Sequence, residues 1–146
     1  MISLDDLISE HWAELMDLIT KDAVVRIRSY AKAPLKLTME RVGRWLKTLA
    51  DSVAQNKPDL LAEYLAAVGE ERREEGYPIG DLHAIVSITE ERLQDLIEDT
   101  IQDPVERNGQ MALLTAVMDS ARMTLSVTYI LSLAARAPQL RAAGGD

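Results

Sequence analysis

The sequence contains no cysteine and no phenylalanine. The absence of cysteine excludes disulfides, thiolate nucleophiles and cysteine-ligated metals, and it suits a reducing compartment such as the cytoplasm. Without phenylalanine, the core has to be built from aliphatic residues and methionine, with two tryptophans and four tyrosines. The chain has no uncharged apolar run of about eighteen residues, so the sequence predicts no membrane span. Its first residues carry no basic group ahead of an apolar stretch, which does not fit a secretory signal.

Acidic residues outnumber basic ones by 24 to 16, which gives a net charge of −8. Such a balance repels phosphate backbones, so binding to nucleic acids is not expected. The length of 146 residues is typical of one domain. We expect a single helical domain over residues 1–137, because the apolar pattern is lost near the end. Residues 138–146 are predicted to be a flexible tail or the start of a linker to an absent output domain.

Helical periodicity dominates the sequence and predicts an all-α fold of five to six helices. Ser3 is a suitable N-cap for a first helix whose apolar stripe continues to Ile19. A short second helix is predicted over residues 22–29, and residues 31–37 are predicted to form a connection. Thr38 is the predicted N-cap of the next helix.

The second half of the chain has clearer signals for the ends of helices. Pro58 suits the first turn of a helix, and Gly76 suits its C-terminal end. A further amphipathic helix is predicted over residues 82–97. Asp103 and Pro104 are then expected to open the last helix, which is long.

The last helix differs from the others in composition. From Met111 to Ala135 only Asp119 and Arg122 are charged, and apolar residues lie on nearly every face. A helix that is apolar all round has to be buried all round, either by its own chain or partly by a second copy. We favour the second copy, because a few amphipathic helices seldom cover a whole circumference and two-fold pairing is the commonest assembly. Asp119 and Arg122 are expected to pair with each other or across the two-fold axis.

The residue types that carry chemistry are scarce. His11 lies on the apolar stripe of the first helix, where a structural histidine is expected. His83 lies in the first turn of a helix, where the helix dipole disfavours its protonated form and a solvent-facing side chain is expected. Neither histidine has partners at metal-ligand spacing. No nucleophile–base pair or phosphate-binding glycine loop occurs, so the sequence predicts no catalytic residue, no cofactor site, no metal site and no enzyme.

Arg72 is an unusual member of an apolar stripe. It continues the stripe of Leu65 and Val68, so we expect its stem to be buried and its guanidinium to need a partner. The candidates are carbonyl groups at a helix C-terminus or an acidic residue of the next helix. A structural role is favoured over contact with a ligand. The acidic residues around it, at positions 70, 71, 74 and 75, are predicted to form mostly a solvated face.

The segment from Val68 to Ile97 carries a more specific pattern. Its features are a glycine–arginine–glycine spacing, a turn, and an arginine within the next helix; the residues are Gly69, Arg72 and Gly76, then Tyr77-Pro78-Ile79, then Arg92. With the earlier Trp12, this pattern resembles the N-terminal sensor domain of RsbR-type stressosome proteins. Arg73 departs from the small residue that usually follows the family's arginine.

The resemblance implies a globin-like fold that has lost heme and forms a homodimer. It also implies a non-catalytic sensory and dimerisation input domain in bacterial stress signalling, with the last helix passing the signal to an output module such as a STAS domain. A small ligand of unknown identity is compatible with this role. The residues expected to matter for structure or signalling are Arg72, Gly76, Tyr77, Asp119 and Arg122. The chain is then either an excised input domain or a protein that acts alone or with a different partner.

Three other interpretations remain open at this stage. A heme-binding globin-type sensor would use His83 as the proximal ligand, although the chain contains no phenylalanine to press against a porphyrin. An enzyme with a site inside a helical bundle would need ligand or acid–base pairs that the sequence does not display. An effector domain separated from a DNA-binding part is compatible with the acidic charge.

Overall fold

We describe a computed structural model of the chain, which covers the backbone of residues 2–144 and the side chains of residues 2–135. Within these residues it contains seven α-helices and no strand: α1 (Leu4–Glu10), α2 (Trp12–Arg26), α3 (Arg28–Lys32), α4 (Leu35–Ala54), α5 (Pro58–Glu74), α6 (Ile79–Thr100) and α7 (Pro104–Gly144). The predicted all-α class is therefore confirmed. The predicted number of five to six helices was wrong, because two of the predicted helices are interrupted, whereas the predicted separation between them near residue 20 lies inside α2.

The interruptions lie in the N-terminal third of the chain. Ser3 caps α1 as predicted: its hydroxyl accepts a hydrogen bond from the Asp6 N–H, and the Asp6 carboxylate accepts one from the Ser3 N–H, which completes a capping box. The predicted first helix breaks at His11, which has φ −111° and ψ 25° and separates α1 from α2. A second break at Ile27, with extended backbone, separates α2 from α3 inside the predicted 22–29 helix. Both breaks preserve the apolar pattern, so periodicity alone does not reveal them.

The remaining helix ends follow local rules, with one exception. Thr38 was wrongly predicted as an N-cap: α4 begins earlier, at Leu35 after Pro34, and Thr38 is fully buried inside it. Proline suits this position because its φ of −57° already fits the entry to a helix. Pro58 and Pro104 are the first residues of α5 and α7, as predicted.

The helices enclose one apolar core. The long helix α7 packs on α5 and α6, whereas α4 packs on α1, α2 and α5, and α2 also contacts α6. Gly69 lets α5 approach α7 closely, because a Cβ at this position would lie 3.2 Å from Thr128 Cγ2. Polar contacts join distant helices: the Arg92 guanidinium donates two hydrogen bonds to the Asp22 carboxylate, at 2.7 and 3.0 Å.

None of the described helices has the length and apolar character needed to cross a membrane. The backbone of α7 is helical through Gly144, across residues 138–144, where the sequence predicted a tail or the start of a linker. Residues 145 and 146 of that prediction lie outside the described part of the chain.

Candidate functional site

The end of α5 forms a helix stop built around Gly76. Gly76 has φ +90°, a left-handed conformation that favours glycine, and its N–H donates to the carbonyl of Arg73 at 3.0 Å. The N–H of Tyr77 donates to the carbonyl of Arg72 at 2.9 Å. These two bonds form a Schellman motif, so the predicted role of Gly76 at a helix C-terminus is confirmed.

Arg72 is buried beside this stop, with only 4% of its surface exposed. Its Nη1 donates to Glu71 Oε1 at 2.8 Å and to Glu75 Oε1 at 3.0 Å. The predicted burial is confirmed, but both predicted kinds of partner were wrong, because the carboxylates come from the end of its own helix. The hydrogen bond from Arg72 lowers the pKa of the Glu71 carboxyl below its ordinary value. Glu75 Oε1 also accepts a hydrogen bond from Arg41 Nη2 at 2.9 Å.

Tyr77 connects the turn after α5 to three other helices. Its ring stands edge-on to Tyr30 of α3, with ring centroids 5.5 Å apart. Its hydroxyl accepts a hydrogen bond from Arg41 Nη1 of α4 at 3.2 Å. Its carbonyl accepts a hydrogen bond from the Tyr129 hydroxyl of α7 at 2.8 Å. The turn after α5 is therefore held from several sides, and Tyr77 has a structural role in this corner.

A cavity of about 40 Å³, partly open to the surface, lies at the edge of the core next to this corner. Helices α3 to α7 all contribute to its walls, which are mostly apolar and include Trp45 of α4 and Leu125 of α7. The polar side chains that line it are Tyr30, Arg41, Tyr64 and Arg72. Burial raises the pKa of both cavity tyrosines above the ordinary value of a phenol, whereas the nearby arginines act in the opposite direction.

Several hydrogen-bonding groups at this cavity have no partner among the described side chains and backbone. The hydroxyl of Tyr30 makes no hydrogen bond there, although the residue is only 5% exposed. Arg72 uses Nη1 alone, and its Nε and Nη2 make no hydrogen bond to residues 2–135. These atoms are not fully enclosed, but the side chains that carry them are buried, and buried side chains usually pair their polar atoms. This concentration of donors marks the cavity as a candidate binding site.

The second candidate surface is the outer face of α7. Its residues recur at alternating spacings of three and four, which is the heptad repeat of a helix that packs along another helix. We call this set the α7 stripe; its members are Leu113, Ala116, Ser120, Met123, Val127, Ile130 and Ala134, and all are exposed in the single chain. Leu131 and Leu133, each 63% exposed, widen the stripe near its C-terminal end.

These exposures exclude one of the two predicted arrangements of the last helix. Its inner face is buried on α5 and α6 through residues such as Leu114, Met118 and Leu125. Its outer face includes Met123 at 69% and Ile130 at 64% exposure. The arrangement in which the chain encloses its own last helix was therefore wrong. An apolar surface of this kind is typical of an interaction site.

A groove of about 390 Å³ runs beside the N-terminal half of the α7 stripe. One wall is formed by the end of α4 and the start of α5, including Val53, Pro58 and Leu61. The other wall is α7, where small side chains such as Ala116 and Ser120 leave the space open. The groove and the stripe are thus one continuous surface.

Asp119 and Arg122 pair within α7, as one of the two predicted arrangements required. Arg122 Nη1 donates to Asp119 Oδ1 at 3.1 Å. Arg122 Nη2 donates to Glu90 Oε1 at 2.7 Å and to Ser87 Oγ at 3.2 Å, both on α6. Arg122 therefore joins α7 to α6, and the sequence did not reveal this second contact.

The histidines lie apart from both candidate surfaces. His11 Nδ1 is 3.7 Å from the Glu14 carboxylate, at the break between α1 and α2. His83 is half-buried rather than solvent-facing, and its Nε2 is 3.1 Å from Ser126 Oγ. Neither residue lines the core cavity or the groove. The core cavity is also far smaller than a porphyrin, so this geometry does not favour heme at His83.

No set of three or more potential metal ligands occurs among the described residues. Sequence reasoning identified Arg72 but missed Tyr30, Arg41 and Tyr64, which line the same cavity. Tyr30 was assigned to no helix, because the break at Ile27, after which α3 begins, was not predicted. The heptad spacing of the α7 stripe was present in the sequence but was masked by the apolar residues on the opposite face. Comparison of this chain with protein families, with curated proteins and with solved structures gave no match.

Proposed function

We propose that this chain is a non-catalytic sensory and dimerisation domain that passes a signal through α7. The assignment to bacterial stress signalling, and to a globin-like arrangement without heme, rests on the resemblance over Val68 to Ile97 to the RsbR-type sensor domains. The observation that carries the dimerisation part is the exposed α7 stripe. No comparable observation supports an enzymatic function, and the position of His83 does not support a heme sensor.

The α7 stripe favours a second copy of this chain as its occupant. Heptad spacing is the pattern with which two long helices pack side by side. The stripe is also uneven: Ala116 and Ser120 border the groove, whereas Val127 and Ile130 project from the other half. A surface with both a hollow and a projecting half can complement itself under two-fold symmetry.

The same helix offers a route from the core to the dimer contact. Leu125 lines the core cavity, and its neighbours Met123 and Val127 belong to the α7 stripe. A ligand that binds better to one packing of the core than to another shifts the population of the two packings. We therefore propose that α7 couples the state of the core to the geometry of the dimer.

The test is the oligomeric state of Val127→Glu, measured by sedimentation equilibrium of the full chain. A charge within an apolar contact is left without a partner, so this variant should be monomeric where the unchanged protein is a dimer. Val25→Glu is the matched control, because Val25 is 84% exposed on α2, away from the stripe. This control should remain a dimer and keep the same helical circular dichroism.

Two outcomes would contradict the proposal. An unchanged protein that sediments as a monomer at all accessible concentrations has no dimer contact for α7 to act through. A dimer that survives Val127→Glu, with both variants behaving alike, uses a different surface.

A further inference from the structure

We propose that the core cavity binds a small oxyanion of three or four heavy atoms, such as a short carboxylate, through Arg72 and Tyr30. This inference deepens the proposed sensory role by naming a class of ligand. The binding itself requires no dimer. It starts from the free donors at the cavity, which the contacts within the chain leave unexplained.

The hydrogen bonding of Arg72 indicates the kind of ligand. Both carboxylates that contact Arg72 use the same nitrogen, Nη1. The remaining nitrogens, Nε and Nη2, form the side of a guanidinium that a carboxylate binds with two parallel hydrogen bonds. A cation or a hydrogen-bond donor would gain nothing from this edge. The free donors therefore select an acceptor with two oxygens.

The two tyrosines that line the cavity also favour an anionic ligand. A phenol buried without a partner can donate a hydrogen bond to an oxyanion, and Tyr30 and Tyr64 both line the cavity. Burial keeps these phenols protonated, because it raises the pKa of both. Arg41 adds a second guanidinium at the same wall. Arg41 and Arg72 share Glu75, and Arg72 also pairs with Glu71, so the free edge of Arg72, and not an excess of positive charge, favours an anion.

The size and the apolar walls narrow the class further. A cavity of about 40 Å³ is far below the roughly 150 Å³ that accepts benzene. We therefore expect a ligand as small as formate, acetate or nitrate. The apolar wall, with Trp45 and Leu125, suits the methyl group of acetate and disfavours a larger polar group.

Acetate and acetamide provide a matched pair of probes, because they have the same shape and differ in charge. The indole N–H of Trp45 donates to Thr89 Oγ1 at 2.9 Å and lies at the cavity wall, so its nuclear magnetic resonance signal reports on occupancy. The other tryptophan signal is assigned with Trp12→Phe. At constant ionic strength, acetate should shift the Trp45 signal saturably and raise the melting temperature, whereas acetamide should do neither.

Two variants connect such binding to the named groups. Tyr30→Phe removes one hydroxyl without changing shape and should weaken acetate binding by roughly tenfold or more, as expected for a hydrogen bond to a charged group. Arg72→Met should abolish binding. Tyr129→Phe is the control, because its hydroxyl bonds the Tyr77 carbonyl and does not line the cavity. This control should bind acetate like the unchanged protein.

The inference is overturned if acetate and acetamide act alike, as they would if the cavity holds only water. It is also overturned if Tyr30→Phe binds acetate as tightly as the unchanged protein. Val127→Glu should bind acetate as the unchanged protein does, because the site needs no dimer. Acetate binding by an unchanged protein that sediments as a monomer would support the site and contradict the dimer. An unchanged protein that dimerises but binds no acetate would do the reverse.

Discussion

At the scale of single residues, burial of a polar group is more informative than its position in the sequence. Arg72 was recognised because a charged residue interrupted an apolar stripe, and its burial is confirmed. Its partners Glu71 and Glu75 were missed, because the partner was expected among helix carbonyl groups or on the next helix. Tyr30 gave no such signal, since a tyrosine in a short helix looks the same whether its hydroxyl reaches solvent or a cavity.

The buried hydroxyl of Tyr30 predicts a specific loss of stability in alkaline solution. Burial raises its pKa in the folded protein, so above the ordinary tyrosine value of 10.0 only the unfolded chain releases the proton readily. Stability from this residue is therefore complete below about pH 10 and falls as the pH rises further. Tyr30→Phe removes this effect. Urea unfolding should show that, as the pH rises above 10, the free energy of unfolding falls less in the variant than in the unchanged protein. An equal fall in the two proteins would contradict this.

At the scale of helices, the sequence predicts ends better than interruptions. Pro58, Gly76 and Pro104 act locally, through fixed φ angles or a positive φ, and each lies where it was predicted. The breaks at His11 and Ile27 have no residue that forces them. They arise because the helices on either side have to reach the same core from different directions, which is a property of the packing.

The approach of α5 to α7 at Gly69 can be tested by adding a side chain. A Cβ would meet Thr128 Cγ2 at 3.2 Å and Leu125 Cδ2 at 3.4 Å, so Gly69→Leu should lower the free energy of unfolding by about 1–3 kcal/mol. Gly109→Leu is the matched control, because a Cβ at Gly109 has open space within 4 Å. Its expected effect is neutral or a gain of about 0.5–1 kcal/mol. Chemical unfolding measures both, and equal effects would contradict the tight approach.

At the scale of the whole molecule, the all-α class follows from periodicity, whereas the arrangement of the helices does not. The pairing of α7 with α5 and α6 places one half of its circumference in the core. The other half carries the heptad spacing of the α7 stripe, which the apolar residues of the buried half hide in the sequence. Which cavity remains between five helices depends on side-chain packing that no local rule encodes.

The uneven α7 stripe predicts an antiparallel dimer. Only this orientation places Val127 and Ile130 of one copy over Ala116 and the groove of the other. Because the chain contains no cysteine, disulfides can be introduced one at a time. The double variant Ala116→Cys, Val127→Cys should form a covalent dimer on mild oxidation, seen by non-reducing electrophoresis. Each single variant should not, whereas a parallel dimer would cross-link through Val127→Cys alone.

Gly69 also limits how α7 can move. Because α5 approaches the Leu125–Thr128 segment so closely at Gly69, we expect the two helices to move as a single body. If a ligand in the core cavity displaces these two helices, the backbone has to change at the turns that join α5 to its neighbours. Those joints are the turn at Asn56, which has φ +51°, and the turn at Gly76. A substitution that stiffens either turn should stop occupancy of the core cavity from affecting the α7 stripe, while the cavity and the stripe themselves stay intact.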